Sequence, residues 1–277
     1  MPEIRYGEAV AVAPHVRRVT APNSGRMTGP GTNTYLVGER ELAMIDPGPN
    51  LPEHVDALER ICDGRLRWIL VTHTHRDHSP AARVLAERTG AALVGNVIPN
   101  DGFQDETFSG ARQLAQDDVL STDEFTIRAL LTPGHVSNHI CYLVEQDGLL
   151  MTGDHIMGGS TVVIVPPHGN MQHYIESLRR MLNYKVDFLA PGHGDLIGNP
   201  RAEIEHLIAH RLKREAKVAD ALTRLGTVDI DTLTPVVYDD VDKVMHSWAA
   251  MSLHAHLLKL RDDGRAREQD GQWSMLP

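Results

Sequence analysis

Short apolar segments separated by turn residues fill the first two thirds of the chain. Apolar runs on both sides of residues 38–40, closed by a Pro-Gly-Pro turn at 47–49, predict a β-hairpin over residues 34–46. The continuous apolar run 68–72 is typical of a strand buried on both faces of a sheet. Further strands are predicted at residues 125–131, 140–144, 149–152 and 188–190.

A helix is predicted shortly after the run 68–72. Ser79 is a typical N-cap residue, Pro80 suits a first helical position, and Gly90 ends the helical pattern. Residues 73–78 are therefore expected in a loop between the carboxyl end of a strand and a helix. The polar, poorly periodic segment 99–120 predicts either a helical lid or an irregular loop.

Beyond residue 200 the pattern changes to helices. Apolar residues recur at helical spacing between 204 and 222, a second amphipathic run covers 244–260, and Asp270 with Gly271 predicts a final hairpin. A chain of 277 residues has room for one large domain and one small one. We therefore expect an α/β domain at residues 1–200 and a small helical domain with a β wing at residues 201–277.

Charge and cysteine content narrow the class of protein. The 27 Lys and Arg residues against 37 Asp and Glu residues give a net charge of −10, which disfavours nucleic acid as a partner. No apolar run approaches the ~20 residues of a membrane span, and the first ten residues lack the pattern of a secretory signal. Cys62 and Cys141 are too few for a disulfide framework. A cytoplasmic protein that does not enter a membrane is expected.

Histidines carry the candidate chemistry, and the chain has 16 of them. Residues 73–78 read His-Thr-His-Arg-Asp-His, which places four metal-binding side chains within six residues. Alternate residues after a strand project to one side, and a chain reversal lets the next two face the other way. One loop can thus serve two metal ions.

Three further candidate ligands each follow an apolar run that predicts a strand. They are His135 after Thr-Pro-Gly, Asp154 after Thr-Gly, and His193 after Pro-Gly. A sheet would deliver all three to one edge, and the neighbouring glycines permit sharp turns and close backbone approach there.

The order H-x-H-x-D-H, then H, D and H, resembles the motif of the metallo-β-lactamase fold superfamily, over residues ~30 to 200. The resemblance implies an αββα sandwich with a two-metal site at one edge of its sheets. It also implies how the ligands divide: His73, His75 and His135 on one ion, Asp77, His78 and His193 on the other, and Asp154 bridging both.

The chemistry expected of such a site is hydrolysis. Two divalent cations about 3.5–4 Å apart share a water, lower its pKa and provide a bridging hydroxide that attacks a carbonyl or phosphoryl group. Two Zn²⁺ ions are expected, with iron or manganese as alternatives. Asp77 is the candidate catalytic residue, since it can orient the nucleophile or accept a proton from it. Asp46 either supports the histidine loop from behind the ligands or makes a simple Asx turn.

Two positions separate this chain from other branches of the superfamily. Asp154 stands where true β-lactamases have a cysteine or a residue that binds no metal, as it does in hydrolases of thioesters and phosphodiesters. His75 stands where diiron electron-transfer relatives have a glutamate. Antibiotic hydrolysis and electron transfer are therefore poor expectations.

Residues 31–37, residues 158–181 and the helical tail are similar to the β-lactamase-like protein 2 family, whose members carry a small winged-helix-like C-terminal domain. This resemblance implies a metal-dependent hydrolase of small esters or thioesters. A single-stranded-RNA endoribonuclease with the same metals is the alternative. A mononuclear iron oxygenase similar to the persulfide-oxidising relatives is a third interpretation, in which Asp77, His78 and His193 would bind no metal.

The segment after Asp154 is expected to border the substrate pocket. His168, Asn170 and Tyr174 are the candidates there for substrate contact or leaving-group protonation. The predicted helix 244–260 carries an apolar stripe and has Lys259 as its only Lys or Arg, so it is expected to pack on the larger domain or on a second copy of the chain, and not in a nucleic-acid groove.

Overall fold

The computed structural model describes residues 4–277. Residues 1–3, which belong to the predicted larger domain and to the stretch judged to lack a secretory signal, lie outside the described residues. In chain order the described elements are β1 (Val10–Ala13), β2 (Val16–Thr20), β3 (Asn33–Val37), β4 (Leu42–Ile45), α1 (Pro52–Cys62), β5 (Leu66–Leu70), α2 (Ala81–Thr89), β6 (Ala92–Val94), β7 (Val119–Ser121), β8 (Thr126–Leu131), β9 (Ile140–Val144), β10 (Leu149–Gly153), α3 (Met171–Met181), β11 (Phe188–Pro191), α4 (Pro200–Leu225), α5 (Ile230–Val237), a 3₁₀ turn (Lys243–Met245), α6 (His246–Asp262), β12 (Ala266–Gln269) and β13 (Gln272–Met275).

The chain divides into two compact units. Strands β1 to β11 and helices α1 and α2 belong to the first unit, and α3 to α6 with β12 and β13 belong to the second. Helix α3 precedes residue 200 but belongs to the second unit, so the two units do not meet at a single point in the chain. The domain boundary expected at residue 200 stays a prediction.

Two sheets form the first unit, with strand orders β1-β2-β3-β4-β5-β6 and β11-β10-β9-β8-β7. Strands β3 and β4 pair antiparallel with Tyr35 opposite Ile45, which confirms the predicted hairpin. The inner faces of the sheets share one apolar core, to which Tyr35 and Ile45 contribute from one side and Ile127 and Tyr142 from the other.

Alternation along β3 shows why this sheet is buried on both faces. Tyr35 faces the inner core, whereas Leu36 faces a second core with Leu58 of α1 and Leu85 of α2. Each successive side chain of a strand points to the opposite face, so a strand with both faces covered must be apolar throughout. Strand β5 lies in the same sheet between β4 and β6, parallel to both, and its carboxyl end leads into the histidine loop.

Helix α2 confirms the helix predicted after the histidine loop, but its start differs from the prediction. Pro80 occupies the N-cap position, and no side chain caps the helix. Ser79 instead donates its hydroxyl to Asp105 Oδ2 at 2.8 Å. The predicted Ser79 cap is wrong because a tertiary acceptor takes the hydroxyl that would cap the helix.

The polar segment 99–120 is an irregular loop up to residue 118, where β7 follows, and the helical-lid alternative is wrong. The loop nevertheless holds fixed contacts to the histidine loop. Thr74 Oγ1 donates to Gln104 Oε1 at 2.6 Å, and the Asp105 amide donates to the Thr74 carbonyl at 2.6 Å.

Helices dominate the second unit, as expected. Trp273 of β13 is 2% exposed and packs with Leu233 of α5 and Leu253 of α6. Asp270 and Gly271 have φ angles of 51° and 76° in the turn between β12 and β13, which confirms the final hairpin. None of the helices within residues 4–277 has the length and apolar character that crossing a membrane requires.

Candidate metal centre

The residues 73–78, here called the histidine loop, begin three residues after β5 and end three residues before α2. His73 and His78 are fully buried, and Asp77 keeps 30% of its side chain exposed. His73 Nε2 lies 2.9 Å from His75 Nδ1, so two imidazoles of the loop approach each other through ring nitrogens. At this distance one imidazole donates a hydrogen bond to the other, and both nitrogens are of a type that binds zinc.

Asp46 anchors the histidine loop from behind. It follows β4, has φ 52° and is 2% exposed. Its Oδ1 accepts a hydrogen bond from the Thr72 amide at 2.7 Å, and its Oδ2 accepts one from the Thr72 hydroxyl at 2.7 Å. The same Oδ2 lies 2.9 Å from His78 Nδ1. A carboxylate acceptor fixes the proton on His78 Nδ1 and leaves Nε2 available as a metal ligand.

His78 is one of four side chains whose ligand-type atoms converge at the end of the histidine loop. His78 Nε2 lies 3.4 Å from Asp154 Oδ1 and 3.7 Å from Asp77 Oδ2. His193 Nε2 lies 3.3 Å from each of the same two carboxylate oxygens. The second ring nitrogen of His193 lies 3.2 Å from the Gly31 carbonyl oxygen, so its Nε2 is likewise left for the cluster. Two imidazole nitrogens and two carboxylate oxygens thus surround one small volume.

Ligand-type atoms form three groups in which all members lie within 4.8 Å of one another. These groups are His73 with His75 and His135, His73 with His78 and Asp154, and Asp77 with His78 and His193. The second and third groups share His78, so five of the predicted ligands form one connected set within the first unit: His73, Asp77, His78, Asp154 and His193. His135 also places its Nδ1 2.8 Å from the Val163 carbonyl oxygen.

Strand ends explain how distant residues reach this cluster. Asp154 follows β10 and His193 follows β11, two parallel strands whose carboxyl ends lie at the same edge of the sheet. Gly192 permits the closest approach, because a Cβ there would lie 2.7 Å from His78 Cε1. Any larger residue at this position would displace the imidazole.

Electrostatics favour cations in this cluster. Burial lowers the pKa of His78, but the carboxylates of Asp77, Asp154 and Asp46 outweigh it and raise that pKa well above its usual value. The pKa of His193 is also raised against the effect of burial, chiefly by Asp154 and Asp77. Burial works to raise the pKa of Asp77, and the two imidazoles lower it overall. A positive charge placed among these carboxylates is therefore stabilised.

Sequence reasoning missed several residues that support the ligands. The His139 ring stacks on the His73 ring with 5.1 Å between centroids, and its Nδ1 lies 2.9 Å from Thr132 Oγ1. Asn138 donates to Thr74 Oγ1 at 2.9 Å. The only sequence signal for them was their place just before the apolar run 140–144.

The three predicted substrate contacts have different surroundings. His168 is half-buried, and its Nδ1 lies 3.3 Å from Ser137 Oγ. Asn170 is the N-cap of α3, where its side-chain oxygen accepts from the His173 amide at 2.9 Å. Tyr174 is fully buried beneath the guanidinium of Arg211. Contact of any of them with substrate stays a prediction.

Family models agree with this fold. Residues 27–193 match the model of the metallo-beta-lactamase superfamily, and residues 230–273 match the beta-lactamase associated winged helix domain. The first match covers more than half of the chain, and the protein belongs to the metallo-β-lactamase superfamily. The mixed α/β fold with a winged-helix domain near the C-terminus is confirmed.

Relatives and solved structures place the chain more narrowly. The Drosophila melanogaster beta-lactamase-like protein 2 homolog is 30% identical over 286 residues, which cover 93% of this chain and 94% of that protein. The Emericella nidulans protein named thioesterase pkgB is 32% identical over 222 residues, which cover 79% of this chain and 61% of that protein. The chain spans two thirds or less of the length of several fungal lactamase-like relatives.

A solved beta-lactamase domain protein from Burkholderia ambifaria has a TM-score of 0.81 and 21% identity to this chain. The similarity covers 100% of this chain and 95% of that one, and it shows a shared fold. The winged-helix match and the Drosophila relative confirm the resemblance to the β-lactamase-like protein 2 family that was inferred from the sequence.

Proposed function

We propose that the protein is a binuclear zinc hydrolase of small esters or thioesters. The observation that carries this proposal is the convergence of His78 Nε2, His193 Nε2 and the two carboxylates of Asp77 and Asp154 at 3.3–3.7 Å. Such a set of nitrogen and oxygen donors, with no thiolate, suits Zn²⁺ or another divalent first-row ion.

The environment of His78 Nε2 also fits a bound metal ion. His78 Nε2 is buried, and within the described residues it has no hydrogen-bond partner. The nearest carboxylate oxygens lie 3.4 and 3.7 Å away, which is long for a hydrogen bond, whereas a metal ion would satisfy the nitrogen. Its other nitrogen is already held by Asp46, as is typical of histidines that bind zinc.

Seven residues would hold two ions. His73, His75 and His135 would hold one, Asp77, His78 and His193 the other, and Asp154 would bridge them. Bound zinc supplies a water acidic enough to lose its proton near neutral pH and a positive charge for the carbonyl oxygen of the substrate.

The residues of the chain supply orientation and proton handling. Asp77 is the most exposed of the four side chains around His78 Nε2, so its carboxylate can both bind metal and accept a hydrogen bond from an attacking water. Asp46, through Thr72 and His78, holds the loop that carries Asp77. Positioning of this kind keeps the reacting groups aligned before the substrate arrives.

Substrate class rests on two observations. The relative named thioesterase pkgB supports an acyl thioester. The Phe103 ring is 40% exposed with its centroid 6.4 Å from the His75 ring, which offers an apolar surface beside the ligands. The net charge of −10 gives no support to the endoribonuclease alternative.

The group formed by Asp77, His78 and His193 also bears on the oxygenase interpretation, in which these three residues bind no metal. Their ligand atoms lie within 4.8 Å of one another, which supports a second ion instead.

The test combines metal analysis with three substrates. About two zinc ions per chain and hydrolysis of acyl thioesters are expected, and Asp77→Asn should abolish most of that activity. Asp220→Asn, an exposed carboxylate on α4, is the matched control and should keep it. Cleavage of labelled single-stranded RNA that depends on Asp77 would overturn the substrate class. One iron per chain with oxygen consumption would overturn hydrolysis.

A further inference from the structure

Three consecutive residues between β10 and α3 connect the candidate ligand His135 to the C-terminal helices. We call residues 162–164 the strap. The Val162 carbonyl accepts a hydrogen bond from Arg211 Nη2 at 2.6 Å, and the Val163 carbonyl oxygen lies 2.8 Å from His135 Nδ1. The Ile164 amide donates a hydrogen bond to Ser252 Oγ at 3.2 Å. The strap is thus held by α4 on one side of Val163 and by α6 on the other.

The central contact decides what His135 can do. A backbone carbonyl can only accept, so His135 Nδ1 carries the proton and Nε2 keeps its lone pair. The position of the Val163 carbonyl therefore sets both the tautomer and the ring orientation of His135. Val162 and Ile164 are buried, which leaves the strap little freedom except through its two attachments.

Arg211 is an unusual side chain for a structural position. It is 3% exposed, and within residues 4–277 no carboxylate forms an ion pair with it. Its Nε has no hydrogen-bond partner there either. Arg214, one turn further along α4, makes an ordinary bidentate pair with Asp240 at 2.7 and 3.0 Å. Burying an unpaired cation costs free energy, so packing alone does not account for Arg211.

A second contact of Arg211 also leads to His135. Its guanidinium carbon lies 5.1 Å from the centre of the Tyr174 ring. Tyr174 lies directly against Gly134, where a Cβ would be 2.4 Å from the Tyr174 Cα. The Asn170 amide donates to the Gly134 carbonyl at 2.8 Å. Arg211 therefore bears on His135 from two sides, through the strap and through the turn that precedes the histidine.

We infer that Arg211, with a smaller contribution from Ser252, is a positioning residue that orients His135 for metal binding through the strap and Tyr174. The inference rests on the proposed function, since it takes His135 as a ligand. It gives α4 and α6 a role in holding His135, which lies in the same unit.

Zinc titration of metal-free protein against a competing chelator tests this role. The wild-type protein should bind two ions, and His135→Ala identifies the binding step that depends on His135. Arg211→Met keeps an unbranched apolar stem and removes the guanidinium with both of its contacts, so it should weaken that same step about tenfold or more. Arg211→Lys restores a donor to Val162 without the planar stack, so its loss should be intermediate.

Arg214→Met is the matched control. It removes a buried arginine from the same helix that makes no contact with the strap. Its melting temperature should fall while both zinc affinities stay at the wild-type values. The visible spectrum of the cobalt-substituted protein gives a second measurement, and it should change in Arg211→Met and not in Arg214→Met.

The outcomes separate this inference from the proposed function. Arg211→Met protein that folds and binds both ions with wild-type affinity would overturn the inference and leave the zinc hydrolase standing. A wild-type protein that binds fewer than two ions would overturn the proposed function itself. If Arg211→Met does not fold, Arg211→Lys and Ser252→Ala decide, since unchanged affinity in both contradicts the role of the strap.

Discussion

Replacing Asp46 by asparagine alters one buried carboxylate and leaves the shape of the side chain almost unchanged. Asp46 accepts hydrogen bonds from the Thr72 amide and the Thr72 hydroxyl, and it faces His78 Nδ1 at 2.9 Å. An asparagine oriented with its oxygen toward the Thr72 amide turns its NH₂ group toward His78. Two donors then meet unless His78 moves its proton to Nε2, the nitrogen needed for metal. The opposite amide orientation sets two donors together at Thr72.

Asp46→Asn should lower both the stability of the protein and its affinity for zinc. One buried donor loses its acceptor, which lowers the free energy of unfolding by roughly 1–3 kcal/mol. Loss of the correct His78 tautomer weakens one zinc site by about 10–100-fold. Urea unfolding of the metal-free protein measures the first quantity, and chelator competition measures the second.

Asp147→Asn is the control for Asp46→Asn. Asp147 is buried and binds the ring and the amide of His15 at 2.8 and 3.0 Å, a carboxylate–histidine pair that shares no contact with the ligands. Its substitution should lower stability and leave both zinc affinities unchanged. Asp46→Asn protein that binds two zinc ions as tightly as the wild type would refute the reasoning that the carboxylate sets the tautomer of His78.

Two further predictions concern stability. The pKa of His256 is held well below its usual value by burial and by cations that include Arg211, so the unfolded chain takes up a proton that the folded chain refuses. The stability that neutral His256 contributes is present above pH ~6.5 and is lost as the pH falls below that value. His256→Leu should therefore reduce the fall in the free energy of unfolding between pH 7 and 5, measured by urea unfolding, whereas substitution of an exposed histidine, His173→Leu, should not. Equal slopes for the two variants would contradict this. Gly134→Ala should destabilise by roughly 1–3 kcal/mol or more, because φ is 153° and the new Cβ meets the Tyr174 backbone at 2.4 Å. Gly110→Ala, also at positive φ but with open space around its Cβ, should cost clearly less in thermal melts, and equal costs would rule out the contact as the cause.

Local patterns predicted the elements that carry the candidate site. The hairpin over residues 34–46 and the strand before residue 73 were predictable because a buried strand must be apolar at consecutive positions. The loop 73–78 was predictable as a candidate metal-binding segment because its four candidate ligands are neighbours in the chain. The order of the candidate ligands along the chain was enough to identify the superfamily.

Helix ends were harder to predict, for a reason visible at two residues. Ser79 and Asn170 both have side chains that cap helices well. Ser79 instead binds Asp105, 26 positions away, while Asn170 caps α3 and was predicted as a substrate contact. Each side chain forms a hydrogen bond with the partner that the folded chain places nearest to it. The residues next to it in the sequence do not reveal which partner that is.

By itself the sequence determined the types and order of the ligands and the strands that deliver them, because those depend on side-chain chemistry and local periodicity. The tertiary structure revealed the contact between Asp46 and His78 and the contact between the Val163 carbonyl and His135, which set the tautomers of the two histidines. The partner of His135 is a backbone carbonyl, and every residue has one, so no residue type could mark Val163 in advance. Only the path of the folded chain places that carbonyl against the imidazole.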